Sequence, residues 1–112
     1  MYYNGYTNEK TDKKYFQRAF SGIKELKCKY DSHQSFNGRA YVGLNENCKE
    51  FLISYNTVVL GYDPFTGEFH RLWDGYSATT MRHIKEFCRQ CGFSEMSKGT
   101  WDRMPVESWE GW

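Results

Sequence analysis

Three groups of residues in this 112-residue chain carry side chains able to do chemistry: a cationic stripe, a histidine among hydroxyls, and a Cys-x-x-Cys. Arg82, Lys85 and Arg89 stand at spacing i, i+3, i+7, which on a helix lines them up along one outward stripe. The segment 10–29 adds Lys10, Lys13, Lys14, Arg18, Lys24, Lys27 and Lys29 against Asp12 and Glu25. Tyr15, Phe16, Tyr30 and Tyr41 lie close by in sequence. Cations interleaved with aromatics can hold single-stranded nucleic acid through phosphate contacts and base stacking. The plainer reading is a solvated helix face. The segment 95–112 has the opposite balance, with Glu95, Asp102, Glu107 and Glu110 against Lys98 and Arg103. Such asymmetry also suits a protein partner with complementary patches.

His83 sits at the edge of an apolar stripe, with Tyr76 or Ser77 a turn or so away. It could act as a base or a ligand. The simpler expectation is an interfacial histidine bonded to a backbone carbonyl of a sheet, because no carboxylate is placed to form a dyad. Glu86 lies three residues on, but Arg82 competes for it. Ser54, Thr57, Ser77, Thr79 and Thr80 are read as caps and turn-bonding hydroxyls, since a nucleophile needs a paired base and an oxyanion hole and no G-x-S-x-G occurs. Cys88 and Cys91, with Cys28 and Cys48, make a weak zinc set: the second pair lacks knuckle spacing. Cys88 and Cys91 also fall at the end of an amphipathic helix, where they read as small core residues and not as a thioredoxin-type pair. Phosphate-loop motifs are absent, and His33, His70 and His83 have no metal spacing. No catalytic residue, metal or cofactor is expected.

The composition frames these groups. A net charge of +1 argues against both an acidic nucleic-acid mimic and a strongly basic coat protein. Aromatic residues at 19% argue against disorder of the whole chain. The length sets one domain, 1–112, as the expectation. No apolar run is long enough to cross a membrane, and MYYNGYTNEK does not read as a signal peptide.

The elements that must position these groups follow from periodicity. Residues 1–9 read as a loose arm. Thr11 can cap a short helix in which Tyr15, Phe16, Ala19, Phe20 and Ile23 recur at helical spacing, ending near Gly22. Strands are expected over 23–30, 35–44 (Phe36, Ala40, Val42 and Leu44 on one face, Gly38 a bulge), 50–62 and 67–74. Asn56 marks either a bend or two tightly joined strands, and Pro64 and Gly67 form a turn. Ser77 caps the clearest helix, whose stripe is Met81, Ile84, Phe87, Cys88 and Cys91, with Gly92 at its end. Arg82, Lys85, Glu86, Arg89 and Gln90 are placed on its other face. Residues 98–112 read as an extended strap anchored by Trp101 and Met104, with 106–112 a loose arm. The expected fold is α+β: an antiparallel sheet of three to five strands covered by the C-terminal amphipathic helix, with a short N-terminal helix and the strap. Its core would be Phe36, Val42, Leu52, Val58, Leu60, Met81, Ile84 and Phe87.

Four blocks carry a family resemblance: YDSHQSFNGRAYV at 30–42, LISYNTVV at 52–59, YSATTMRHIKEFCRQCGF at 76–93 and WDRMP at 101–105. Their succession resembles a family of small uncharacterised proteins of phages, prophages and plasmids of Gram-positive gut-type bacteria, with the pattern SFxGxAxV, SYxTxV, SxTTxRHIxEFLxQ. The likeness covers about 30–105 and is most specific at 76–87. Cys88 replaces an expected Leu, and Asn37 an expected aromatic. The resemblance implies an accessory protein of a mobile element, acting in the bacterial host cytoplasm. With Trp, Tyr, Phe and Arg enriched at interface hot spots, the expected function is binding of a host protein, as an anti-CRISPR-like inhibitor of a defence nuclease or CRISPR effector. Arg82, Lys85, Arg89, Tyr15, Trp109 and Trp112 are the partner-binding candidates. The alternative is a nucleic-acid-binding accessory protein using the basic and aromatic surface. An enzyme is not expected.

Overall fold

A computed structural model describes residues 20–108. Strands β1 (Ser21–Glu25), β2 (Ala40–Leu44), β3 (Glu50–Ser54), β4 (Thr57–Asp63) and β5 (Glu68–Arg71) precede helices α1 (Ala78–Gln90) and α2 (Lys98–Arg103). The strands pair antiparallel in chain order, β1-β2-β3-β4-β5, as one open sheet. The α+β class and the antiparallel meander are as the sequence leads one to expect. The short N-terminal helix over 11–19, the arm 1–9 and residues Tyr15, Trp109 and Trp112 lie outside the described residues.

Turn chemistry sets where the strands stop. Tyr55 and Asn56 have φ 50° and 63°, so β3 and β4 are joined by a two-residue loop with both residues left-handed. That resolves Asn56 as a tight join. At the next turn the Asp63 carboxylate accepts from the Phe65 N–H, and the Gly67 N–H donates to the Asp63 carbonyl at 2.7 Å. Asn37 and Gly38, at φ 54° and 73°, also form a turn, closed by Arg39 N–H to the Phe36 carbonyl. The strand expected over 35–44 is therefore shortened to β2, and Gly38 turns the chain instead of bulging it. Phe36 remains buried, but from the loop.

β1 corrects two further expectations. Residues 21–23, read as the end of a helix, are strand, and a register shift between Ser21 and Lys24 surrounds Gly22 at φ 59°. The strand expected to run to residue 30 ends at Glu25. Beyond it the N–H groups of Lys29, Tyr30 and Asp31 donate to a side chain of α1 and no longer to a sheet neighbour.

α1 begins where Ser77 Oγ accepts from the Thr80 N–H at 3.0 Å. It ends with Phe93 N–H bonded to the Cys88 carbonyl and Gly92 N–H to the Arg89 carbonyl, with Gly92 at φ 94°. This is the Schellman arrangement, in which a residue without Cβ takes the left-handed position. The strap is corrected over 98–103: Ser97 caps α2 there, and Trp101 is fully buried within it. Extended backbone is kept only afterwards, where Val106 forms a parallel bridge with Arg71 and Glu107 N–H donates to the Arg71 carbonyl.

The sheet is apolar on both faces. Ala40, Leu52, Val59 and Leu60 share one buried cluster with Met81, Ile84, Phe87 and Cys88 of α1 and Trp101 of α2. Phe20, Phe51, Ile53 and Val58 form a second cluster. Val58 was expected with Leu60; strict alternation puts both on one face. The register shift between Leu52 and Ile53 pairs them with Leu60 and Val58, leaves Val59 as the extra residue, and turns Val58 to the far side. Gly43 lies on that far side, where a Cβ would come within 2.8 Å of Phe20 Cβ. Leu44, expected to share a face with Phe36, Ala40 and Val42, is 40% exposed at the strand end.

Candidate functional site

The buried positions of α1 are Thr80, Met81, His83, Ile84, Glu86, Phe87 and Cys88, an arc too broad for a single sheet-facing stripe. The excess is explained by the loop after β1, which runs along a flank of the helix. Glu86 holds it there. The Glu86 carboxylate accepts from the backbone N–H of Lys29 (3.0 Å), Tyr30 (3.0 Å) and Asp31 (2.7 Å), and from the Gln90 side-chain amide. Gln90 also donates to the Lys27 carbonyl. Burial alone would raise the Glu86 pKa, but the Gln90 amide and the three N–H groups outweigh it and hold the carboxyl below its ordinary range. Glu86 was expected on the solvent face, with Arg82 as partner. It is instead 2% exposed and bound to backbone.

Arg82 turns to Asp31 and Ser32, with guanidinium contacts of 3.3–3.4 Å. Asp31 also accepts from the His33 N–H and contacts the His33 ring, both at 2.9 Å. Burial works to raise the Asp31 pKa, and the bonds from His33 and Arg82 overcome it, so the carboxylate is the internal counter-ion of this corner. Between the loop and α1 lies a cleft of about 370 Å³ lined by Tyr30, Arg82, Lys85 and Arg89 together with the two engaged carboxylates. Tyr30 is 56% exposed. Lys85 and Arg89 are exposed and form no ion pair among the described residues. The three expected cations are thus on one helix face, and Tyr30 is brought beside them from a distant part of the chain.

One turn back, His83 is 1% exposed. Its ring packs edge-on to Phe36 (centroids 4.5 Å) and stacks with Tyr55 (5.7 Å). Nδ1 lies 2.8 Å from Ser54 Oγ, which is 2.9 Å from Thr80 Oγ1. The partner is a hydroxyl and not the backbone carbonyl expected. Ser54 faces α1 because it shares the sheet face of Leu52. Burial pulls the His83 pKa down to about 4, against a smaller raising influence from Asp31. The Ser54–His83 distance is that of a nucleophile and its base, but Ser54 is 2% exposed and its hydroxyl also contacts Thr80. A substrate has no path to that oxygen in this conformation. Ser77 and Thr80 do the helix-start work expected of them: the Ser77 hydroxyl caps the Thr80 N–H.

The cysteines are placed as core and rim. Cys88 is fully buried, and burial drives its thiol far above the ordinary value; Cys91 is pushed up to about 12 by the same cause, helped by Glu50. Cys48 is exposed and Cys28 half-buried. Neither Cys88 nor Cys91 is poised as a thiolate ligand, and among the described residues no three His, Cys, Asp or Glu are grouped to hold a metal ion. Among these residues, too, no helix is long and apolar enough to cross a membrane.

On the far side of the main cluster, Arg71 is 8% exposed and donates to the carbonyls of Trp73, Trp101 and Gly75, with its guanidinium 4.5 Å from the Trp101 ring centroid. Sequence reasoning missed Arg71, Glu86, Arg39 and Tyr55. Arg71 and Glu86 read as surface residues because their partners are backbone groups, which leave no trace in side-chain patterns. Tyr55 had one signal, a bulky residue before Asn56 at a tight turn.

An open five-stranded meander with two helices and a polar seam along the first defines a small α+β domain. A family model matches residues 24–103, and the chain belongs to this family of unknown function, DUF8033. No curated protein and no solved structure matches the chain.

Proposed function

We propose that this protein is a non-enzymatic binding module that holds single-stranded nucleic acid along the cleft between α1 and the loop after β1. The observation that carries the reading is the Glu86 clasp. By consuming three backbone N–H groups it holds the loop against α1, so that Tyr30 stands exposed beside Lys85 and Arg89. The two acidic groups in the cleft are already engaged, Glu86 by neutral backbone and amide donors and Asp31 by the Arg82 guanidinium and His33. Lys85 and Arg89 remain for phosphates, and Tyr30 offers a face for a base.

Fluorescence anisotropy with a labelled single-stranded oligonucleotide tests this. Binding is expected to weaken steeply between 50 and 200 mM salt, to fall at least tenfold in the double variant Lys85→Glu/Arg89→Glu, and to fall severalfold in Tyr30→Ala. A salt-independent or variant-independent signal rejects it.

A second reading has its own observation. Phe65, at the tip of the β4–β5 turn, is 77% exposed, the kind of aromatic that anchors a protein partner. It supports a host-protein binder, such as a mobile-element inhibitor of a defence nuclease acting in a bacterial cytoplasm. Pull-down from a CRISPR-bearing host that recovers the same nuclease with the parent chain and loses it with Phe65→Ser would favour this reading.

A further inference from the structure

A second cavity, of about 210 Å³, opens between the β3–β4 turn, the loop before β2 and the first turn of α1. Arg39, Tyr55, Thr79, Arg82 and His83 are among the residues that line it. We propose that this cavity is a binding site for a phosphate monoester, with Arg39, Arg82 and the Nε2–H of His83 as its donors.

His83 carries the argument. It is buried to 1% exposure, Nδ1 is taken by Ser54, and Nε2 has no hydrogen-bond partner among the described residues. A buried polar atom left unpaired costs roughly 1–3 kcal/mol, whereas the buried charged side chains among the described residues, Glu86 and Arg71, are each met by several backbone partners. Thr80 and Ser54 can relay hydroxyl protons so that Ser54 donates to Nδ1, which leaves the proton on Nε2, the tautomer an anion selects.

The surroundings point to the same ligand charge. Among the described residues the Arg39 guanidinium meets no acceptor; its contact is the Tyr55 ring, 5.5 Å from the centroid. Thr79 lies in the first turn of the 13-residue helix α1; that turn carries no acidic residue, and the helix dipole favours an anion there. The nearby carboxylate, Asp31, does not line the cavity and is held by Arg82 and His33. Tyr55 takes φ 50°, a conformation a bulky residue avoids, and there its ring closes over His83. The volume admits a phosphate and its ester carbon and falls below the roughly 300–1,000 Å³ of drug-sized sites.

The site adjoins the basic cleft through Arg82 but does not depend on nucleic acid binding there. The test is side-chain NMR of the full chain at pH 7. Inorganic phosphate and a nucleoside 5′-monophosphate are titrated against sodium chloride at matched ionic strength. A saturable shift of the His83 ring nitrogens, with the proton on Nε2, is expected, together with at least tenfold weaker binding in the exposed-site variant Arg39→Gln. Lys85→Glu/Arg89→Glu, which weakens the cleft, should leave phosphate binding within twofold, so the two sites fail separately. His83→Gln is a second variant, to be read only if its spectrum stays folded. Oligonucleotides with and without a 5′-phosphate distinguish the sources: a tenfold preference for the phosphorylated strand assigns a nucleic-acid end, and binding confined to phosphate and the mononucleotide assigns a small metabolite. No saturable shift with either phosphate probe, or an undiminished one in Arg39→Gln, overturns the proposal.

Discussion

Glu86 and His83 lie one turn apart on α1, and both are almost inaccessible to solvent, yet they are treated in opposite ways. Glu86 keeps its charge because every side of its carboxylate is met by a donor from the loop after β1 or from Gln90. His83 loses its charge to burial and is met on one nitrogen only. Arg71 repeats the Glu86 solution with the sign reversed, giving its N–H groups to backbone carbonyls. A saturated buried charge fastens elements together. A neutral group bonded on one side only and set against a cavity is what the proposed phosphate site rests on.

The comparison can be broken most forcefully at Glu86. Glu86→Ala strands three N–H groups and frees the loop, and is expected to destabilise the fold by roughly 3–5 kcal/mol in urea titration. A loss under 1 kcal/mol would mean that the clasp fastens nothing.

Acid separates the two residues next. The His83 pKa is lowered on folding from 6.5 to about 4, so its contribution is present above pH 6.5 and is lost as pH falls toward 4, by up to about 3 kcal/mol. Glu86, whose folded pKa is lowered below the ordinary glutamate value of 4.5, loses its contribution only as pH falls below that value and through its folded pKa. Urea midpoints measured from pH 7 to 3 should therefore fall in two successive steps. His83→Gln, where folded, should remove the first and keep the second.

Ser54→Ala sharpens the His83 side. It leaves Nδ1 and the Thr80 hydroxyl without their shared partner, for an expected loss of about 1–3 kcal/mol and a change in ring tautomer visible by NMR. The smallest stability effect belongs to Lys85→Glu/Arg89→Glu, within about 0.5 kcal/mol of the parent by thermal denaturation, although the same change should abolish most oligonucleotide binding.

α1 was legible because its signals are local: the Ser77 hydroxyl within reach of Thr80, apolar residues at spacings of three and four, and a glycine where the chain must turn left-handed. The β4–β5 turn was legible from Pro64 and Gly67 for the same reason. The parity of β4 was not, since one unpaired residue, Val59, reverses the face of everything before it. The helix at 98–103 was hidden because it is too short to show a period. Half of the candidate site was legible: Arg82, Lys85 and Arg89 follow from helical spacing alone. Tyr30 joins them only through Glu86, which lies 56 residues away.

The sequence by itself determined the class of fold, the extent of the main helix and its cationic stripe, because turns, caps and periodicity act over a few residues. Tertiary structure alone decided which polar groups meet. The loop crosses to α1, Ser54 finds His83, and Arg71 reaches the carbonyls of Trp73, Gly75 and Trp101 because burial forces each polar atom to find a partner wherever the fold brings one within about 3 Å.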